Sequence, residues 1–246
     1  MKKQIFAVGM GPGSEHGMTA EAEAALDAAD VIVGYPVYLA LLGERWKNRK
    51  MLSTPMKQEK ERCVMAFEEA EKGQTVAMVC SGDAGVYGMA GLLYETGASQ
   101  PAWADCEVTV VPGVTAATAG AARLGAPLGH DFCVISLSDL LTPVTLIEKR
   151  LRAAAAGDFA IAIYNPSSHK RADYLQKACD ILLETLPGER VCGYVRNIGR
   201  EGEEATVLTL RELRDAKVDM FTTVFVGSSS TVCIDGKMVT RRGYRP

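Results

Sequence analysis

Five short apolar runs in this chain each pass directly into a cluster of Gly, Pro, Ser, Thr or Asn: "IFAVGMGPGS" (5–14), "VAMVCSGDAGVYG" (76–88), "VTVVPGVTAA" (108–117), "AIAIYNPSS" (160–168) and "TTVFVGSSS" (222–230). A brief apolar run that stops at glycine reads as a buried strand, not as a helix. Helical patterns lie between the runs. Residues 19–29 begin with Thr19, a candidate N-cap; 57–72 end before Gly73; 89–97 stop at Gly97; "PVTLIEKRLRAAAAG" closes at Gly157; "KRADYLQKACDILLETLP" completes the set. The alternation predicts an α/β fold with largely parallel sheets whose strands are buried on both faces. The stretch after "VFVGSS" reads as a polar tail. The Ala/Gly-rich segment 115–129 marks the join between two halves, with domains expected at 1–118 and 119–246. Ligands of open α/β sheets bind beyond the carboxyl ends of the strands. Five loaded ends therefore predict a cleft rimmed by loops, in which glycine exposes main-chain N–H and C=O groups.

The composition narrows the function classes. The chain has 246 residues, a net charge of −3 and 23% charged residues, with no basic stripe for a phosphate backbone. Its longest apolar runs are too short to span a bilayer, so the expectation is a cytoplasmic protein with no membrane or nucleic-acid partner. Seven cysteines form no CxxC pair, and His16, His130 and His169 have no ligand spacing. The cysteines are expected to be small buried apolar residues, and no protein-bound metal is expected.

The first loop holds Gly9, Gly11 and Gly13, but Ser14 stands where a dinucleotide fingerprint needs its third glycine. Pro12 also removes an N–H that a pyrophosphate would need. No phosphate-binding GK[ST] follows any loop, and no serine has a GxSxG setting. Asp83 admits two readings: a cap for the next helix, or a carboxylate facing a ligand with a positive centre. Thr115 and Ala116, after a Pro-Gly turn, likewise read as a helix start or as ligand contacts. Without a strong nucleophile, the residues point to chemistry by positioning two ligands.

In order, "VGMGPGS", "SGDAGVYG", "VPGVTAATAGAARLGAPLGHDFCVISLSD", "AIYNPSS", "RVCGYVRNIGREGE" and "VFVGSSST" resemble the landmarks of the tetrapyrrole (corrin/porphyrin) methyltransferases. The resemblance spans about residues 4–244. It implies two α/β domains with a ligand cleft between them, S-adenosylmethionine as cofactor, a precorrin-type substrate and a homodimer. It also implies cofactor contacts at Pro12, at Ser81, Gly82, Asp83, Val86 and Tyr87, at Thr115 and Ala116, at Tyr164 and Asn165, and at Asn197 and Ile198. The reaction implied is methyl transfer to C-17 of (cobalt-)precorrin-3B with ring contraction. Ser138, Asp139 and His130 are the candidates for assisting proton transfer. Val144, Val232 and Arg241 depart from the pattern, where Trp, Tyr and Pro are expected. The alternatives are a sister precorrin methyltransferase acting at another ring carbon, a non-catalytic tetrapyrrole- or cofactor-binding protein, and a nucleotide-dependent oxidoreductase.

Overall fold

The computed structural model describes residues 3–168 and 172–244; His169 and the end of the "YNPSSHKR" stretch lie outside them. The chain folds as two compact units, Met1–Thr115 and Ala116–Pro246.

The first unit runs β1 (Lys3–Gly9), α1 (Ala20–Ala28), β2 (Val31–Gly34), α2 (Pro36–Leu39), β3 (Lys50–Ser53), α3 (Glu59–Glu71), β4 (Val76–Cys80), α4 (Ala90–Ala98) and β5 (Cys106–Val111). Its sheet has the order β3-β2-β4-β1-β5, and every pairing is parallel. Alternation along β4 divides the core. Val76, Met78 and Cys80 join Phe67 and Leu93 on one face, while Ala77 and Val79 join Leu26 and Trp46 on the other. Burial on both faces explains the unbroken apolar runs. Thr19 caps α1, its side chain accepting from the Ala22 N–H at 3.1 Å. The helix expected to stop at Gly97 instead continues to Ala98. A Cβ at Gly97 would lie 2.9 Å from the Phe67 ring, so this glycine makes room for core packing and terminates nothing.

The second unit runs α5 (Ala116–Leu124), β6 (Gly125–Ala126), β7 (Phe132–Ser136), α6 (Val144–Ala156), β8 (Ala160–Tyr164), α7 (Tyr174–Leu183), β9 (Val191–Arg196), β10 (Glu204–Thr209), α8 (Leu210–Arg214), β11 (Thr222–Val226), β12 (Thr231–Ile234) and β13 (Lys237–Thr240). Its main sheet has the order β10-β9-β11-β8-β7. Here the expectation of a largely parallel sheet fails: β7 and β8 pair parallel, whereas β11 runs antiparallel to both β8 and β9, and β10 antiparallel to β9. The loop 197–203 between β9 and β10 is too short for the crossover that a parallel pair requires. Ile161, Ile163, Val224 and Val226 pack beneath α6 and α7, and Ala162 and Phe225 beneath α5. The expected polar tail forms strands: β12 and β13 make a hairpin that adds β6 as its third strand. Among the described residues no helix is long and apolar enough to cross a membrane.

All seven cysteines are free, with Cys63, Cys80, Cys179 and Cys192 buried and Cys233 exposed. Burial pushes the Cys63 and Cys179 thiols up to about 12 and Cys80 up to about 11. The thiolate is the reactive form, so at pH 8 these side chains are protected by both access and protonation. A disulfide reagent added to native protein is expected to label about one thiol rapidly, Cys233, and the buried four only after denaturant is added. Rapid labelling of a tryptic peptide carrying Cys80 would contradict this.

Candidate functional site

In the first unit β4, β1 and β5 are neighbours, and their registers align Gly9 with Cys80 and Val8 with Val111. Their carboxyl-end loops therefore meet side by side. Gly11 and Gly82 exchange both backbone hydrogen bonds, at 3.0 and 2.7 Å. A Cβ at Gly9 would stand 2.7 Å from the Gly113 nitrogen, and one at Gly113 only 2.1 Å from the Gly82 carbonyl oxygen. These glycines let one loop lie against the next. The reading that they bare main chain for a ligand does not hold for Gly9 and Gly113, where backbone already fills the space.

Asp83 clips the loops together. Its Oδ1 accepts from the N–H groups of Gly85 at 2.8 Å and Val86 at 3.2 Å, while Oδ2 accepts from the Gly113 N–H at 2.9 Å. The first pair is a local turn; the third reaches across to the loop after β5. Thr19 ties the same loop down, donating its hydroxyl to the Pro112 carbonyl at 3.2 Å. Pro12, Ser81, Val86 and Thr115 are half-buried around this junction. Gly85, Tyr87 and Gly88 are exposed. Tyr87 adopts φ of 54°. A bulky side chain in that region is strained by roughly 1–2 kcal/mol, and such strain gathers at ligand sites. Replacing Tyr87 with Gly is expected to raise stability by about 0.5–1 kcal/mol in chemical denaturation, the relief being partly offset by chain entropy. The same change is expected to weaken ligand binding.

In the second unit Asn165 and Asn197, at the ends of β8 and β9, also adopt left-handed backbone, with φ of 53° and 51°. Among the described residues six non-glycine residues have positive φ, and three of them, Tyr87, Asn165 and Asn197, carry motifs singled out from the sequence. Asn165 donates its amide to Ser136 Oγ at 2.9 Å, and the Ser138 N–H donates to the same oxygen at 3.2 Å. The Tyr164 hydroxyl accepts from the Ala117 N–H at 2.8 Å, in the first turn of α5 beside half-buried Ala116. The Asn197 N–H donates to the Phe221 carbonyl at 3.1 Å. Ile198 is buried against Ala117, Ala121 and Phe225, so its side chain belongs to the core and only its main chain is available to a ligand.

Two expectations are redrawn. Ser138 and Asp139 follow the carboxyl end of β7, whereas His130 is exposed before its amino end. The strand's length, roughly 16 Å at the usual rise, separates them, so the three are not one constellation. The "GSSS" loop follows an inverted strand. Val226 pairs with Ile161 at the start of β8, and Ser229 donates its N–H to Asp158 at 2.7 Å. That loop lies at the opposite edge of the sheet from Tyr164 and Asn197. Glu71, Asp105 and Cys106 also come together, near the amino ends of β1 and β5, but the Lys3 ammonium stands 2.9 Å from both carboxylates. The residue that sequence reasoning missed is Tyr174, whose hydroxyl donates to Asp139 Oδ2 at 2.5 Å.

Residues 4–214 match the family described as Tetrapyrrole (Corrin/Porphyrin) Methylases. The chain belongs to the tetrapyrrole methylase family. This tetrapyrrole methylase is 46% identical over 240 residues to the probable cobalt-factor III C(17)-methyltransferase of Salmonella typhimurium, covering 98% of this chain and 99% of that protein. It is 43% identical to the cobalt-factor III methyltransferase of Priestia megaterium, covering 100% of this chain and 46% of that longer protein. Its fold superposes on the crystal structure of the methyltransferase CobJ with a TM-score of 0.90, at 40% identity, covering 97% of this chain and 99% of that one. The donor set suits the family's methyl donor. A carboxylate-organised loop with exposed main chain at Gly85 and Gly88 matches an amino-acid end.

Proposed function

We propose that this tetrapyrrole methylase transfers the methyl group of S-adenosylmethionine to C-17 of a precorrin-3B-type macrocycle, with contraction of the ring, as a step in cobalamin synthesis. End-to-end identity of 46% with the Salmonella C(17)-methyltransferase carries this reading. The names of both relatives support a ring that arrives with cobalt bound. A homodimer in the cytoplasm accompanies it.

S-adenosylmethionine, when bound, supplies an electrophilic methyl on a sulfonium that departs as a neutral thioether. The chain's own task is to position and to exclude water. In the first unit, Pro12, Ser81, Gly82, Asp83, Val86, Tyr87 and Thr115 form the junction that holds the amino-acid end. In the second, Ala116, Tyr164, Asn165, Asn197 and the main chain of Ile198 receive the nucleoside. No side chain has to become a covalent nucleophile, because the electron-rich ring provides the attacking carbon. Ser138 and Asp139 are the groups proposed to assist proton transfer.

The test is incubation of the purified protein with S-adenosylmethionine and precorrin-3B, with and without cobalt, read by mass spectrometry and carbon NMR. One added methyl at C-17 on a contracted ring is expected. A methyl at another ring carbon, or none, would refute the assignment.

A further inference from the structure

The loop 197–203 turns the chain from β9 back into antiparallel β10, with Arg196 and Glu204 paired across its base. Asn197, Gly199 and Gly202 within it have left-handed backbone, with φ of 51°, 68° and 73°. A turn of that kind keeps its shape only where other groups over-determine it.

Two anchors do so, and both involve α5. At the start of the loop Ile198 seats against Ala117 and Ala121. Gly120 clears the space for it, since a Cβ there would lie 3.0 Å from Ile198 Cδ1. At the end of the loop Glu203 folds back on it: Oε2 accepts from the Gly199 N–H at 2.6 Å. Arg123, in the last turn of α5, brings its Nε to 2.9 and 3.1 Å from the two oxygens of the same carboxylate. An exposed ion pair contributes little by itself. This one orients a carboxylate that in turn fixes a main-chain N–H, and hydrogen bonds to a charged acceptor are the strong ones. The other end of α5 begins at Ala116, and its Ala117 N–H meets the Tyr164 hydroxyl at 2.8 Å. One helix therefore fastens, at its two ends, both groups of residues proposed for the nucleoside.

Resting on the S-adenosylmethionine reading above, we infer that Glu203, held by Arg123, is a positioning residue for the nucleoside half of the cofactor. It keeps Asn197 and the main chain of Ile198 in binding shape before the ligand arrives, and it acts through the Gly199 N–H. Preorganisation works on affinity by population: a loop in its competent shape about a tenth of the time binds about tenfold more weakly.

The experiment is titration calorimetry on the full chain with S-adenosylhomocysteine and with methylthioadenosine, which keeps the nucleoside and lacks the amino-acid end. Glu203→Ala is expected to raise both dissociation constants by the same factor, about tenfold. Glu203→Gln retains an acceptor for the Gly199 N–H but not the charge, and is expected to raise both about threefold. Arg123→Ala is expected to weaken binding in the wild-type background and to cost nothing further in Glu203→Ala, because its action runs through the carboxylate. Without ligand, the Gly199 amide proton is expected to be strongly deshielded in NMR spectra of the wild type and to move upfield in Glu203→Ala. In turnover, KM for S-adenosylmethionine is expected to rise with the dissociation constant while kcat at saturation stays put, whereas a merely unfolding variant would lose kcat. Methylthioadenosine binding within about twofold of wild type in Glu203→Ala would overturn the inference, as would equal losses from Arg123→Ala in both backgrounds. A wild type that binds neither ligand sinks the cofactor reading and this inference with it. A wild type that binds both, with variants that bind as well, sinks the inference alone.

Discussion

Asp83→Ala is expected to raise the dissociation constant for S-adenosylmethionine by about 100-fold and to lower the stability of the first unit by about 2–4 kcal/mol. Three main-chain donors lose their acceptor at once: Gly85 at 2.8 Å, Val86 at 3.2 Å and Gly113 at 2.9 Å. The exposed Gly85 N–H can turn to water, but the Gly113 N–H sits where loops meet and has less access to it. An unsatisfied buried donor costs about 1–3 kcal/mol, and hydrogen bonds to a carboxylate lie at the strong end of the range. Affinity falls because the loop from Ser81 to Gly88 is held in its shape by this one side chain. Asp83→Asn is expected to be nearly as damaging. Its single carbonyl oxygen serves one side of the junction, and its NH2 then faces an N–H on the other. Titration calorimetry with S-adenosylhomocysteine checks the affinity and denaturant titration the stability. A dissociation constant within threefold of wild type in Asp83→Ala would show that the loops keep their shape without the carboxylate.

Gly113→Ala is expected to cost about 3 kcal/mol or more, near or beyond the upper end for overpacking, and to lower the melting temperature by about 10 °C. The added Cβ would lie 2.1 Å from the Gly82 carbonyl oxygen and 2.7 Å from both the carbonyl carbon and the oxygen of Gly9. All three neighbours are backbone atoms in the packed end of a sheet, so none can swing aside as a flexible side chain would. The effect is purely steric, since Gly113 is absent from the positive-φ glycines and alanine would be comfortable in its conformation. The two substitutions differ in their signatures. Asp83→Ala loses binding in a protein that still folds, whereas Gly113→Ala loses stability first, and cofactor protects it poorly because the junction that would hold the cofactor has been pushed apart. Thermal unfolding with and without S-adenosylhomocysteine separates them. A Gly113→Ala protein that melts within about 2 °C of wild type would mean that the loops after β4 and β5 can separate at little cost.

Much of this was legible in the residues themselves. Apolar runs of strand length, a threonine before an Ala/Glu-rich helix and clusters of turn residues are local signals, and they located β1, β4, β5, β8, β11 and α1. The ordered motifs from "GMGPGS" to "RNIG" were enough to suggest the family, because each is a short string tied to one strand end. Other local signals were ambiguous for a physical reason. Glycine relieves a backbone at a turn and also clears space for a neighbour, and Gly97 does the second by accommodating Phe67. The closing stretch looked polar because a small three-stranded sheet buries few of its side chains, yet Val232 and Val239 pair across its hairpin.

By itself, then, the order of residues determined the class of fold, the place of the strand-end loops and the resemblance that pointed to the family. Three-dimensional pairing decided the rest. Strand direction is set by partners far apart in the chain, so the inversion of β11 between β8 and β9, which carries "GSSS" to the other edge, was invisible along the sequence. The same holds for the Asp83 bond to Gly113, thirty residues away, and for the Tyr174 bond to Asp139, thirty-five residues away. Local propensity chooses a residue's own conformation, but which groups meet depends on how the whole sheet assembles.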